Sequence, residues 1–151
     1  MRGLTQAYGR AVAALSGPIG EGVALVLTRL ALAGVFWRSG RSKVEEGSWL
    51  EISDTTAFLF QTEYAGVPLP PELAASLATW SEHLFPVLLV LGLATRLSAL
   101  ALLGMTLVIQ LFVYPEAWWS VHLLWAAMAA VLIARGGGVF SADRLTGTMR
   151  R

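Results

Sequence analysis

Four long apolar runs dominate this sequence, at roughly residues 22–37, 73–94, 97–114 and 117–134. Each run approaches the ~20 residues that a helix needs to cross about 30 Å of hydrocarbon. Charged residues make up only 14% of the chain, whereas a typical soluble domain carries about 25%. The sequence therefore predicts an all-α fold, an integral membrane four-helix bundle, with the lipid bilayer as its first partner.

Composition excludes several classes of function. The formal net charge is +1 and there is no basic stripe, which argues against a nucleic-acid partner. The chain contains no cysteine, which excludes disulfides, thiolate metal sites and thiol–disulfide relays. The sequence also has no metal-binding motif of ordinary spacing. Any redox role must therefore use a bound cofactor or a partner protein.

The apolar runs divide the chain into three parts. Residues 1–21 form an N-terminal segment, predicted to be cytoplasmic or interfacial, in which 4–16 is either an amphipathic helix on the membrane surface or a frayed tail. Residues 22–135 hold the four spans and an outer loop, 44–71. Residues 136–151 form a basic tail that we expect in the cytoplasm.

The outer loop is predicted to contain one short extra helix. Residues 55–64 have an aromatic face, Asp54 suits the N-cap, and Gly66 suits the stop. Pro71 then fits the first turn of the second span, where a missing N–H costs no helical hydrogen bond. Because the loop is acidic and its helix is aromatic, we expect it to bind a membrane or periplasmic protein partner.

The distribution of lysine and arginine predicts the orientation, because cytoplasmic loops carry an excess of both. The side that holds the termini has Arg2, Arg10, Arg96, Arg135, Arg144, Arg150 and Arg151. The opposite side has only Arg41 and Lys43. We therefore expect a multi-pass protein of the bacterial inner membrane with both termini in the cytoplasm.

Two charged residues lie deep in the predicted spans, where a charge is costly and suggests a functional site. Arg29 lies about two turns into the first span, and Glu82 lies near the middle of the second. Their depths overlap, so we expect a cross-helix ion pair. Either the pair is a structural clasp, or Glu82 titrates, relays a proton or contacts a ligand. Pro86 favours a kink beside Glu82, because it leaves that residue's carbonyl without a helical donor.

A polar pocket is predicted in the outer half of the bundle, around His122 of the fourth span. Gln110 has a similar depth on the third span, and Arg38 and Ser39 lie on the first. Alternatively, the nearby tryptophans form an interfacial belt and His122 makes an interhelical hydrogen bond. The candidate cofactor-binding set is Arg29, Glu82, Gln110, His122, Trp118 and Trp125.

A quinone is one candidate cofactor for such a pocket, and haem is a less favoured alternative. A quinone ring needs an aromatic slot with one or two hydrogen-bond donors, which His122 and the tryptophans offer. Haem would use His83 and His122 as axial ligands. The depths of these two histidines differ by ~9 Å by helical rise, and no helix carries a histidine pair.

A set of residues between about 22 and 146 also suggests a family. They are Arg29, Ser39, Gly40, Lys43, Glu82, the segment Pro86–Arg96, the segment Gln110–Pro115, His122 and the segment Gly136–Arg144. On them the chain resembles the DoxX family of small four-helix inner-membrane proteins, whose relatives include the DoxD subunit of a thiosulfate:quinone oxidoreductase. The polar set that carries over by position is Arg29, Lys43, Glu82, Arg96 and His122.

A finer resemblance concerns one subgroup of that family. Residues 60–64 and 68–75 are similar to DoxX proteins encoded beside bufferin-type metal-defence peptides. This likeness implies a role in metal or oxidative stress defence. The chain departs from the subgroup at His83, where an apolar residue is expected, so no role carries over to that position.

Several functions stay open at this point. The first is a redox-linked, quinone-interacting accessory role in metal or oxidative stress defence. The second is a non-enzymatic membrane anchor or assembly partner for stress or metal-handling proteins, and a haem-binding electron-transfer protein is a further alternative. A small transporter would need a homodimer, for which Gly34, Gly40 and Gly104 offer surfaces of close helix approach.

Overall fold

The computed structural model describes residues 2–145 and 147; within that part the regular structure is helical, apart from one isolated β-bridge between Val44 and Ile52. The α-helices are α1 (Arg2–Leu15), α2 (Pro18–Arg41), α3 (Asp54–Gln61), α4 (Pro71–Leu91), α5 (Thr95–Phe112), α6 (Leu123–Arg135) and α7 (Ala142–Leu145). A 3₁₀ turn (Pro115–Ala117) and a π-helical turn (Trp118–His122) lead into α6. Of the predicted basic tail, residues 146 and 148–151, with Arg150 and Arg151, lie outside the described residues.

Four segments in the described part are long and apolar enough to cross a membrane: Pro18–Arg41, Pro71–Leu91, Thr95–Phe112 and Pro115–Arg135. Three of them begin with proline at the first helical position, where its fixed φ suits the helix and its missing N–H costs nothing. The predicted all-α four-helix membrane fold is confirmed, and Pro71 starts the second span as expected.

The spanning helices form a closed ring. Helix α2 packs against α4, α4 against α5, α5 against α6, and α6 returns to α2. Side chains from all four meet in one apolar core: Leu25, Leu32, Ala33, Phe36, Leu89, Ala99, Leu102, Ala129 and Leu132. Large apolar side chains such as Leu27, Leu100 and Leu124 point outward and are exposed. An apolar exterior of this kind suits lipid rather than water.

The bundle has two ends of different construction. The loop end is formed by the connection 42–70 and by residues 113–117, after α5. The terminal end is formed by the start of α2, the turn 92–94 and the segment 136–145. Every spanning helix runs from one end to the other, so side chains far apart in sequence meet at each.

The extra helix in the outer loop is present, with different boundaries. It is α3, and its N-cap is Ser53, whose Oγ accepts a hydrogen bond from the Thr56 N–H at 3.2 Å. Asp54 is the first helical residue, where a carboxylate also favours the positive end of the helix dipole. Helix α3 ends at Gln61, before Gly66. At Gly66 a Cβ would lie 2.9 Å from the Phe112 carbonyl oxygen, so a glycine lets the loop pack on the end of α5.

The N-terminal segment is helical over α1. Its apolar side chains Leu4, Tyr8, Val12 and Leu15 recur at the spacing of one helix face, and all four are exposed. Its location at the membrane surface stays a prediction.

Candidate functional site

A cavity of about 310 Å³ lies at the loop end, bounded by α4, α5, the last turn of α2 and the outer loop. This volume lies at the lower limit of cavities that hold small organic ligands. Most of its wall is apolar or aromatic, and seven polar side chains line it: Ser39, Lys43, Tyr64, Ser81, Glu82, Tyr114 and His122. A few polar groups in an apolar wall fix the orientation of a ligand, while most of its surface stays in contact with apolar side chains.

An ion pair forms one wall of the cavity. Lys43, just beyond the end of α2, places Nζ 2.7 Å from Glu82 Oε2, and the Glu82 side chain is only 2% exposed. Ser39 Oγ lies 3.1 Å from Glu82 Oε1 and 2.9 Å from Lys43 Nζ. Close approach of the helices allows this contact, because a Cβ on Gly40 would lie 3.0 Å from Glu82 Cβ. The carboxylate is therefore neutralised without reaching water.

The predicted ion pair between Arg29 and Glu82 is wrong. Gly40, in the last turn of α2, lies beside Glu82, and Arg29 lies eleven residues earlier, about 16 Å along the helix. The first turns of α4 extend past the end of α2, where Ala74 and Ala75 pack against Phe60 of α3. Counting residues from the start of each helix therefore placed Arg29 and Glu82 at more similar depths than they have.

Arg29 instead belongs to a polar cluster at the terminal end. Its Nη1 donates to the Leu89 carbonyl at 3.2 Å and its Nη2 to the Phe140 carbonyl at 2.8 Å. In the same cluster, Asp143 accepts hydrogen bonds from the backbone N–H groups of Ala94 at 2.6 Å and Thr95 at 2.9 Å. These bonds cap the start of α5 and fasten segment 136–145 beneath the bundle. These four hydrogen bonds join side chains to main-chain atoms, which is typical of a structural role, and Asp143 also interacts electrostatically with Arg29.

His122 is held in the cavity wall by a neighbouring glutamine. Its Nδ1 lies 2.7 Å from Gln110 Oε1, and Gln110 Nε2 donates to the Pro115 carbonyl at 2.7 Å. His122 ends the π-helical turn, a geometry that recurs at functional sites. Its ring also packs against Trp125, with 5.2 Å between centroids. His122 thus makes an interhelical hydrogen bond and lines the cavity at the same time.

Of the predicted cofactor-binding set, the structure brings four residues together. Glu82, His122 and Trp125 line the cavity, and Gln110 bonds to His122. Trp118 and Arg29 are not among the lining residues. In the wider set, Ser39 lines the cavity whereas Arg38 is exposed.

The two histidines proposed for haem do not line the same cavity. His83 packs against Trp37, with 5.2 Å between ring centroids, and its Nδ1 lies 2.7 Å from the Thr79 carbonyl oxygen. Only His122 of the pair lines the loop-end cavity. The haem hypothesis stays a prediction without support from a shared site.

Two tyrosines in the cavity wall were missed by sequence reasoning. Tyr114 donates a hydrogen bond to the Glu63 carboxylate, and its hydroxyl oxygen lies 3.4 Å from that of Tyr64. The hydrogen bond to Glu63 raises the pKa of Tyr114 well above its ordinary value. Tyr64 also stacks edge-on against Phe60, with 5.0 Å between centroids. In the sequence, only the four-residue spacing of Phe60 and Tyr64 could have indicated that these tyrosines belong to the site.

Comparison with known proteins decides the family. The DoxX family model matches residues 6–115. The chain belongs to the DoxX family. An uncharacterized protein of Haemophilus influenzae (strain ATCC 51907 / DSM 11121 / KW20 / Rd) is 33% identical over 143 residues, covering 84% of this chain and 85% of its own. No solved structure matches the chain.

The family match covers only part of the cavity. It includes Lys43 and Glu82 but ends at Pro115, the first residue of the fourth span, and so excludes His122. The chain is therefore a multi-pass DoxX membrane protein whose cavity combines a wall inside the matched region with one outside it.

Proposed function

We propose that this DoxX protein is an accessory protein of the bacterial inner membrane that binds a quinone-type ring in the loop-end cavity. In this proposal it serves a redox-linked defence against metal or oxidative stress. The cavity carries the proposal, because it joins an apolar, aromatic wall to a few polar groups that meet the oxygen substituents of a ring. Tyr64, Tyr114 and Trp125 supply the aromatic surface.

The placement of the polar groups supports a ring with more than one oxygen substituent. The Lys43–Glu82 pair comes from α2 and α4, whereas His122 comes from the turn before α6. Because the groups lie on different elements of the ring of helices, a flat ligand between them can be held at two points. Two-point contact is how a small number of polar groups fixes orientation in an apolar pocket.

The proposed orientation places the loop end outside the cytoplasm. Arg10, Arg96, Arg135 and Arg144 all belong to the terminal end, in agreement with the preference of cytoplasmic segments for positive charge. The loop end carries exposed acidic residues instead: Glu45, Glu46, Glu51, Asp54, Glu63, Glu72 and Glu116. The cavity would then lie near the outer surface of the inner membrane.

Binding can be measured by titrating decyl-ubiquinone against the tryptophan fluorescence of the detergent-purified chain, since Trp125 lines the cavity. We expect saturable quenching. Ala78→Leu places extra atoms in the cavity wall and should weaken binding at least about tenfold. Ala127→Leu, on an exposed face of α6, is the matched control and should bind like the wild type. Quenching that never saturates, or that is equal in both variants, contradicts the proposal.

A second candidate function, membrane anchor or assembly partner, is favoured by a different observation. Two large aromatic side chains of the outer loop, Trp49 and Phe58, are 69% and 63% exposed among the acidic residues. Aromatic side chains with surrounding charge are common at protein interfaces. Photocrosslinking from position 58 in native membranes would identify a basic partner, and continued co-purification of that partner after replacement of 44–71 would contradict this candidate.

A further inference from the structure

The hydrogen bonds around Gln110 determine which nitrogen of His122 carries a proton. The Pro115 carbonyl can only accept, so the Gln110 amide nitrogen must face it, at 2.7 Å. The Gln110 amide oxygen then faces His122 Nδ1, also at 2.7 Å. Because this oxygen can only accept, His122 Nδ1 must be the donor.

The remaining ring nitrogen of His122 is consequently an acceptor. No carboxylate lies within ion-pair distance of His122 in the part of the chain that the structure describes. Glu116 acts on His122 electrostatically only from beyond that distance, and burial of an imidazolium outweighs this attraction, so burial favours the neutral ring. In a neutral ring protonated at Nδ1, Nε2 holds a lone pair. Nε2 has no hydrogen-bond partner among the described residues and is not among the sealed, unpartnered polar atoms, and the residue that carries it lines the cavity.

The strongest hydrogen-bond donors of the cavity wall are already engaged. Lys43 Nζ has three hydrogens and three acceptors: Glu82 Oε2 at 2.7 Å, Ser39 Oγ at 2.9 Å and the Ser39 carbonyl at 3.4 Å. Tyr114 donates to Glu63, which leaves Tyr64 to donate to the Tyr114 oxygen. Ser81 Oγ and Trp125 Nε1 also line the cavity and have no hydrogen-bond partner among the described residues, so a carbonyl or a hydroxyl oxygen can accept from them. Only a ligand hydroxyl can in addition donate to His122 Nε2.

We propose that the cavity is selective for rings that carry a hydroxyl group, the reduced hydroquinone or a related phenol, over the oxidised quinone. This inference rests on the proposed function and adds the form of the ligand. His122 Nε2 accepts the ligand hydroxyl, and Gln110 is a positioning residue that holds the tautomer. The two carbonyl oxygens of a quinone can only accept, so they cannot make this bond.

Calorimetry under argon tests the selectivity with the full detergent-purified chain and three ligands on one tail: decyl-ubiquinol, decyl-ubiquinone and the dimethyl ether of the quinol. We expect the quinol to bind about tenfold tighter than either other ligand, as one net hydrogen bond implies. The ether separates hydrogen-bond donation from redox chemistry, because it keeps the reduced ring but has no hydroxyl.

Two variants assign the effect to its residues. His122→Phe should abolish the preference, so that the quinol, the quinone and the ether bind with affinities within about twofold of one another. Gln110→Leu should reduce the preference because Nδ1 is no longer fixed as the donor. If either variant fails to fold, the affinities of the wild-type chain for the three ligands still test the selectivity.

The outcomes separate this inference from the proposed function. Equal affinity for quinol and quinone, or tighter binding of the quinone, overturns the selectivity and leaves the ring site in place. Tight binding of the ether overturns the assignment to hydrogen-bond donation. Failure of all three ligands to bind overturns the proposed function itself.

Discussion

The two ends of the bundle bury polar side chains in opposite ways. At the terminal end, Arg29 and Asp143 bond to backbone carbonyl and N–H groups. At the loop end, Lys43 and Glu82 bond to each other and face a cavity. A charge satisfied by the backbone fastens the chain, because its partners cannot move away. A charge satisfied by another side chain beside open space is available to a ligand.

This comparison changes how a charged residue in a membrane span is interpreted. Sequence alone treats Arg29 and Glu82 as equivalent functional candidates, since both are costly in hydrocarbon. The structure separates them by the chemistry of their partners and by their distance from the cavity. Burial is nearly equal, at 2% exposure for Arg29 and 1% for Glu82, so burial does not distinguish the two roles.

The largest expected effect comes from Lys43→Met at the loop end, which removes the cation of the buried ion pair. It leaves the Glu82 carboxylate buried without its cation, and loss of one partner of a buried pair costs about 3–5 kcal/mol. Adding Glu82→Leu should restore most of that stability, because the lone charge is then removed as well. Chemical unfolding of the wild type and both variants in detergent measures the free energy. A double variant as unstable as Lys43→Met would show that the two residues do not act as a pair.

A smaller effect is expected from Asp143→Ala at the terminal end. The change leaves the N–H groups of Ala94 and Thr95 at the start of α5 without their acceptor, and loss of a cap at a helix N-terminus costs about 0.5–2 kcal/mol. Asp143→Asn keeps one acceptor oxygen and should cost less.

The control for this prediction is ligand affinity at the other end. Below its unfolding temperature, Asp143→Ala should bind decyl-ubiquinone with wild-type affinity, as measured by the fluorescence titration. A weakened affinity in the folded variant would mean that the terminal end shapes the cavity, and the two ends could no longer be treated as separate.

The fold was predictable because its signals are local. Apolar runs of span length, with prolines at helix starts, defined four helices to within a few residues of Pro18–Arg41, Pro71–Leu91, Thr95–Phe112 and Pro115–Arg135. The boundaries of α3 were less accurate, because Ser53 and Asp54 are both good N-cap residues and their order decides between them.

The site was predictable only in part, because it depends on relations between helices. Glu82 and His122 were identified from their cost in an apolar span, and both line the cavity. Lys43 was not identified as the partner of Glu82. The register of α2 against α4 decides this pairing, and that register depends on how the loop folds over the first turns of α4. The π-helical turn before α6 and the cap that Asp143 provides to α5 have no local sequence signal either.

The smallest effect is expected from a pair of glycine substitutions on α2, which tests how tightly the loop end is built. A Cβ at Gly40 would lie 3.0 Å from Glu82 Cβ and from the His83 ring, whereas a Cβ at Gly34 meets nothing within 4 Å. Alanine gains about 1 kcal/mol over glycine inside a helix, and overpacking costs about 1–3 kcal/mol. Gly40→Ala should therefore lose about 1 kcal/mol net, and Gly34→Ala should gain up to about 1 kcal/mol.

Measuring ligand affinity shows whether these two substitutions change the cavity. Because Gly40 lies against Glu82, Gly40→Ala should displace the ion pair and weaken quinol binding severalfold in calorimetry, while Gly34→Ala should leave binding unchanged. Equal binding by both would show that the ion pair does not contact the ligand, and His122 alone would then orient the ring. A change of oligomeric state in Gly34→Ala, seen by size-exclusion chromatography with light scattering, would instead assign the open face of α2 to a homodimer contact.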